Sequence, residues 1–184
     1  MIAELVQWDH TVFRHINHDW ANAAFDAFFP AITDLHRNPI FLACMVPLLA
    51  LWVWKQRGLA VKWILLLALS IGLADAASYR VIKAQAQRAR PAEAGLEVDL
   101  RTNKHSGTSF PSNHAANIFA GATVLTFAFP GWWPVLFYAI AASVGYSRIY
   151  VGVHFPLDVI AGALLGICIA ITVVSVTRRF VRMW

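Results

Sequence analysis

Long apolar runs alternate with short polar segments over most of this chain. "PIFLACMVPLLALWVW" (39–54) is the first run, closed by "KQRG". "LAVKWILLLALSIGLADAASY" (59–79) is the second, with Lys62 near its start able to snorkel and Asp75 near its end. After a long polar stretch, 80–111, come "NHAANIFAGATVLTFAF" (113–129), a "PGWWP" turn, "VLFYAIAASVGY" (135–146) and "FPLDVIAGALLGICIAITVVSV" (155–176). A spanning helix needs roughly 20 predominantly apolar residues, so these five segments predict membrane helices. The first 36 residues read differently. Ile2, Leu5, Val6, Val12, Phe13 and Ile16 recur at roughly helical spacing, which predicts interfacial amphipathic helices. "WANAAFDAFFPAITDL" is apolar but holds Asp26, Pro30 and Asp34, and predicts a short or tilted span at most. The expected fold is all-α: a polytopic transmembrane bundle of five to six membrane helices with an N-terminal interfacial amphipathic helix. One domain is expected over 1–184.

Composition agrees. The chain has 184 residues, 59% hydrophobic and 14% charged, against about 25% charged in soluble domains. The net charge is +5, but the basic residues sit between apolar runs, as membrane flanks do. Nucleic-acid binding would want a basic, aromatic-interleaved soluble face, and the sequence has none, so no nucleic-acid partner is expected. Cys44 and Cys168 lie inside apolar runs and read as buried, inert thiols. The N-terminus lacks a basic stretch followed by an apolar core and does not read as a secretory signal. Small residues crowd the last three helices: Ala115, Ala116, Ala120 and Gly121; Ala141, Ala142 and Gly145; Gly162 and Gly166. Small faces let helices pack closely in lipid.

Counting crossings brings the chemistry together. Helix 59–79 ends at the polar segment and helix 113–129 begins there. Helix 135–146 then returns to the same side. Three clusters therefore share one membrane face. The first is Lys83 and Arg90, followed by Pro91. The second is "SFPSNHAAN", where Ser112 can cap a helix whose first backbone amides, with the Asn113 side chain, suit an anion, and where His114 occupies the first turn. The third is "SRIYVGVHFPLD". Arg148 offers a guanidinium fork for phosphate oxygens, and Asp158 follows His154 by four residues. If the last helix starts near Phe155, that carboxylate reaches the imidazole, fixes its tautomer and supports a positive ring, the pattern of an oriented nucleophile or base. Three cations, two histidines, a carboxylate and a helix N-terminus suit phosphoryl transfer, in which most stabilisation is electrostatic. A metal site would want more carboxylate or thiolate ligands, and the three cations oppose a dication. No metal and no cofactor are expected.

In order and spacing these clusters resemble the three-part signature of the type 2 phosphatidic acid phosphatases, or lipid phosphate phosphatases: "KAQAQRARP" (Lys83, Arg90, Pro91), "PSNH" (111–114) and "SRIYVGVHFPLD" (Arg148, His154, Asp158). The second motif usually reads Pro-Ser-Gly-His in that family, and Asn113 replaces the Gly here. The resemblance implies His154 as the nucleophile that becomes a phosphohistidine, Asp158 as its orienting group, and His114 as general acid and then base. It implies Lys83, Arg90, Arg148, Ser112 and Asn113 as the phosphate cradle, and no metal. It makes 80–111 a loop on the catalytic face. Small bacterial-type members of the family act on undecaprenyl diphosphate, phosphatidylglycerol phosphate or lipid A 1-phosphate, so the expected partners are the bilayer and a phospholipid or polyprenyl phosphate. Loop 92–110, with Glu93, Glu97, Asp99, Arg101, Lys104 and His105, is a candidate head-group reader.

Lys55, Arg57 and Lys62 fall on the face opposite the three clusters, together with Arg178, Arg179 and Arg182. By the positive-inside rule that face is cytoplasmic. This expectation places the chain in the inner membrane with its site open to the periplasm or exterior. Two other readings compete. The vanadate-dependent haloperoxidases share the cradle but are large and soluble. A non-catalytic anion-binding or transport protein would need cations and amides, but neither an acid nor an oriented nucleophile.

Overall fold

The computed structural model describes residues 2–34, 39–103 and 107–180. Arg182, Lys104 and His105, and the end of the 20–36 segment, lie outside the described residues. Helix α1 (Ile2–Arg14) runs into a wide turn, His15–Asp19. It buries Asp9 and Phe13, with Ile16 and Asn17 from the turn, and exposes Leu5, Val6 and Trp8. The helical spacing is borne out only in part: Phe13 and Ile16 are buried as it predicts, whereas Leu5 and Val6, expected in the same apolar set, are exposed. Helix α2 (Ala23–Thr33) is capped by Asn22, whose side chain accepts from the Phe25 amide at 3.0 Å. Its 11 residues measure about 16 Å at 1.5 Å per residue, about half of a 30 Å hydrocarbon core. Phe29 packs on Tyr146 and Tyr150, which holds α2 against the end of α7.

Three described segments are long and apolar enough to cross a membrane: α3 (Pro39–Gln56), the rod that begins with α4 (Gly58–Ala76), and α8 (Pro156–Phe180). Helices α6 (Asn113–Ala128) and α7 (Trp133–Tyr150) pack among them. Between α4 and α6 the rod continues through a π-helical stretch, Ala77–Ile82, and a short turn, α5 (Lys83–Ala86), and ends at Gln87 in a left-handed conformation, φ 40°. The polar stretch expected from residue 80 is thus still helical for about two turns, because no residue there breaks a helix. Likewise α7 does not stop at Tyr146. Nothing in "SRIY" interrupts it, and Arg148 sits in its last turn.

The closest helix contact is between α6 and α8, and glycine makes it possible. A Cβ on Gly162 would lie 2.4 Å from the Ser112 carbonyl oxygen, and one on Gly166 would lie 2.1 Å from that of Ala116. Only hydrogen fits at both sites, as the small-residue pattern predicted. Around this seam Trp63, Leu66, Ala120, Val124, Ala170 and Val174 form a buried core. A second core, Phe13, Ile16, Phe29, Tyr150 and Phe155, joins the N-terminal segment to the loop after α7. At the other end Trp52 meets Phe129, Trp132 stacks on Trp133, and Arg178 lies over Phe127. Aromatic residues gathered at helix ends are characteristic of membrane interfaces.

The two cysteines depart from their expected burial. Cys44 and Cys168 are exposed rather than buried in protein. They lie on outward apolar faces of α3 and α8, where the surroundings are lipid. An apolar run says that a residue avoids water and does not say whether protein or bilayer covers it.

Candidate active site

Helix ends deliver the site. His154 lies in the short loop between α7 and α8 and is buried, with 3% exposure. That loop folds back because Gly152 adopts φ 84°. A Cβ there would also meet Val98 Cγ1 at 2.7 Å, so glycine is required on both counts. The amides of Val153 and His154 both donate to the Arg148 carbonyl at 3.2 Å.

Asp158, in the first turn of α8, sits behind the imidazole. Its Oδ2 lies 3.6 Å from His154 Nδ1 and accepts from the Phe155 amide at 2.9 Å. The Ser109 hydroxyl also donates to Oδ2 and lies 3.4 Å from Nδ1. The far nitrogen, Nε2, lies 3.4 Å from Arg90 Nη1. His154 thus has one nitrogen backed by a carboxylate and one beside a cation. Burial pushes its pKa down to about 3, with Arg90 and Arg148 acting the same way against the Asp158 carboxylate. The ring is neutral near pH 7, with a lone pair to offer.

An open cavity of about 890 Å³ lies in front of the ring, and Lys83, Arg90, Asn113, His114, Arg148 and His154 all line it. Backbone carbonyls hold the cations. Lys83 Nζ donates to the carbonyls of Thr108 at 2.6 Å and Ser109 at 3.3 Å. Arg90 donates through Nε to Gly107 at 2.9 Å and through Nη1 to Val153 at 2.8 Å. Arg148, 1% exposed, reaches Thr33 Oγ1 at 2.8 Å. Asn113 is clamped: its carbonyl accepts from Ser78 at 2.7 Å, and its amide donates to Asp75 at 3.0 Å.

Six of the eight predicted residues meet at this cavity, and Asp158 stands directly behind His154. Ser112 is placed differently. It is fully buried, caps α6 with its side chain facing the Ala115 amide at 3.4 Å, and donates its own amide to the Asp158 carbonyl at 2.9 Å. It fastens α6 to α8 and does not line the cavity. The charges of loop 92–103 also face elsewhere. Arg101 pairs with Asp26 at 2.6 Å and lies over Tyr150, and the Asp99 amide donates to Asn17. These contacts moor the loop to the N-terminal segment. Only Gly107 and Thr108 of loop 92–110 line the cavity among the described residues.

Sequence reasoning missed four neighbours. Arg88 donates to Asp158 Oδ1 at 2.8 Å and also to Asp9. Ser109 binds Asp158. Asp34, at the end of α2, lies 3.1 Å from His114 Nε2 and 3.5 Å from Arg148 Nη1. Asp9 offered a signal, because it falls on the apolar face of α1. Arg88 and Ser109, in a polar segment, offered none.

Known proteins are similar to this chain in sequence and fold. The model of the PAP2 superfamily matches residues 59–182. An undecaprenyl-diphosphatase of Sulfolobus acidocaldarius is 51% identical over 63 residues, covering 34% of this chain and 31% of that one. A lipid A 4'-phosphatase of Bacteroides thetaiotaomicron is 31% identical over 134 residues, covering 70% of this chain and 58% of that one. The chain thus spans less than two thirds of the length of these curated relatives. The crystal structure of Aquifex aeolicus LpxE superposes with a TM-score of 0.69 at 33% identity, over 90% of this chain and 93% of that one. A family match over most of the chain, carried on a shared fold with membrane-length helices, establishes that this protein belongs to the PAP2 superfamily.

Proposed function

We propose that this protein hydrolyses the terminal phosphate of a membrane lipid through a phosphohistidine on His154. The observation that carries the reading is the two-sided environment of that ring, with Asp158 behind Nδ1 and Arg90 beside Nε2 at the cavity wall. In the first step Nε2 attacks phosphorus and the bond from phosphorus to the lipid oxygen breaks. His114 donates its proton to the departing oxygen. In the second step His114 takes a proton from water, the resulting hydroxide oxygen bonds to phosphorus, and the P–N bond breaks to give inorganic phosphate. Lys83, Arg90 and Arg148 hold the phosphoryl oxygens, with Asn113 at the edge of the cradle, and stabilise the charge spread over them in the transition state.

The substrate class is undecaprenyl diphosphate, phosphatidylglycerol phosphate or a lipid A 1-phosphate. The names of the relatives support it, as does a cavity at the end of membrane helices, where a lipid can keep its tail in the bilayer. Three cations around the phosphoryl site disfavour a bound dication, so the reaction is metal-independent. The chain acts as one domain over 1–184. It sits in the inner membrane with the cavity facing the periplasm, because Lys55, Arg57, Lys62 and Arg178 gather at the other end.

The test is release of inorganic phosphate by detergent-purified protein with EDTA present. The three lipids and phosphatidic acid are offered, with His154→Ala as control. Release that survives EDTA and vanishes in His154→Ala supports the mechanism and ranks the lipids. Full activity in His154→Ala overturns it.

A further inference from the structure

We infer that α1 belongs to the catalytic apparatus: the buried carboxylate of Asp9, acting through Arg88, sets the position and effective charge of Asp158. Asp9 and Arg88 are positioning residues for the nucleophile. The inference rests on the reading of His154 as that nucleophile.

The contacts form one unbroken chain. Asp9 is fully buried. Its Oδ1 accepts from the Leu157 amide at 2.8 Å, in the first turn of α8, and its Oδ2 accepts from Arg88 Nη2. Arg88 Nη1 donates to Asp158 Oδ1 at 2.8 Å. The guanidinium lies 4.2 Å from the centre of the Phe155 ring, and His10 of α1 stacks on the same ring at 5.0 Å. Phe155 follows His154 and gives its amide to Asp158. Residues of α1 therefore touch both the carboxylate assembly and the aromatic residue next to the nucleophile.

Charge gives the arrangement a purpose. When Nε2 bonds to phosphorus and the lipid oxygen leaves, the ring keeps its Nδ1 proton and becomes cationic. Asp158 favours that change, but Arg88 bound to Asp158 opposes it. A second carboxylate on Arg88 restores the balance: two carboxylates and one guanidinium leave one net negative charge beside the ring. A helix that only lay on the membrane surface would have no reason to bury a carboxylate here, since desolvating one is expensive unless it is paired. The family match begins at residue 59, so α1 lies outside the matched region and yet reaches its centre.

The full-length protein in dodecyl maltoside is assayed with dioleoyl phosphatidic acid in mixed micelles, and kcat and KM are measured separately. Asp9→Asn should lower kcat about tenfold while KM stays within about threefold, the signature of a displaced or weakened catalytic group. Asp9→Glu should recover part of the loss. In an Asp158→Asn background, Asp9→Asn should cost less than twofold, because the group it acts through is already gone. Arg88→Lys keeps the charge, loses the two-armed geometry, and should repeat the kcat loss if Asp9→Asn does not fold. Unchanged kcat in Asp9→Asn, a change confined to KM, or an equal loss in the Asp158→Asn background overturns the inference. Activity retained by His154→Ala would instead sink the nucleophile assignment, so the two failures are told apart.

Discussion

Oδ2 of Asp158 lies 3.6 Å from Nδ1 of His154, and the same oxygen accepts the amide of Phe155, the residue between the loop and α8. The loop that carries His154, the proposed nucleophile, is therefore fastened to the carboxylate behind its ring. In Asp158→Asn the negative charge is lost, and the amide nitrogen faces donors in either orientation: Arg88 if it takes the place of Oδ1, Ser109 and the Phe155 amide if it takes the place of Oδ2. The expected outcome is a fall in kcat of about 10² or more with a smaller change in KM, by analogy with carboxylates that orient a catalytic imidazole. Steady-state phosphate release measures both, and an unchanged kcat removes Asp158 from the catalytic set.

The α6–α8 seam sets the distance between the two halves of the site, since His114 lies in the first turn of α6 and α8 begins just beyond His154. Gly166→Ala would drive a methyl to 2.1 Å from the Ala116 carbonyl oxygen. It should destabilise the protein by about 1–3 kcal/mol, lowering the Tm in detergent and the turnover together. Gly72 is the control: a Cβ there meets nothing within 4 Å. Gly72→Ala should leave the Tm unchanged or raise it, because alanine has the better helix propensity.

Asn113 stands where the family usually has glycine, and the structure gives it partners. Asp75 accepts from Asn113 at 3.0 Å and from Asn117 at 3.2 Å, and Ser78 donates to Asn113. The clamp joins α4 to the start of α6. Asp75→Ala leaves both amides without their acceptor, at a cost of about 1–3 kcal/mol. Asn113→Gly costs Ser78 its acceptor but leaves Asp75 its bond from Asn117, and it should keep kcat within a few-fold and lower the Tm less than Asp75→Ala does. A larger Tm loss in Asn113→Gly would mean that the asparagine is held by something other than Asp75.

The parts of the site legible in the sequence were those set by spacing along one segment. Lys83 and Arg90, and Arg148, His154 and Asp158, are ordered by helix ends and short loops, and helix counting put them on one face. Contacts between distant segments were not legible. Arg88 reads as one more charge in "KAQAQRARP", and its importance appears only when Asp9 and Asp158 close on it from opposite ends of the chain. Asp9 could have been flagged. It shares a helical face with Leu5, Val12, Phe13 and Ile16, and a carboxylate on an apolar face needs a partner. The end of α7 was set too early because hydropathy falls at Ser147 and Arg148, although nothing before Gly152 breaks the helix.

The burial of His154 makes protein stability depend on pH. The residue lies in the loop between α7 and α8, where burial, reinforced by the two arginines, holds its pKa at about 3. In the unfolded chain it returns to about 6.5. Between these values the unfolded chain binds a proton that the folded protein does not, so acid favours unfolding. The contribution is fully present above about pH 6.5 and falls by up to about 1.4 kcal/mol per pH unit on acidification, until about pH 3. The Tm of the wild type should therefore drop between pH 7 and pH 5 more steeply than that of His154→Gln, which keeps the shape and lacks the titration. The same burial keeps the His154 ring neutral across this range. The acid limb of kcat, measured over the same buffers, should then reflect groups other than His154. Parallel Tm slopes in the two proteins would show that the ring takes up a proton in the folded state as readily as in the unfolded one.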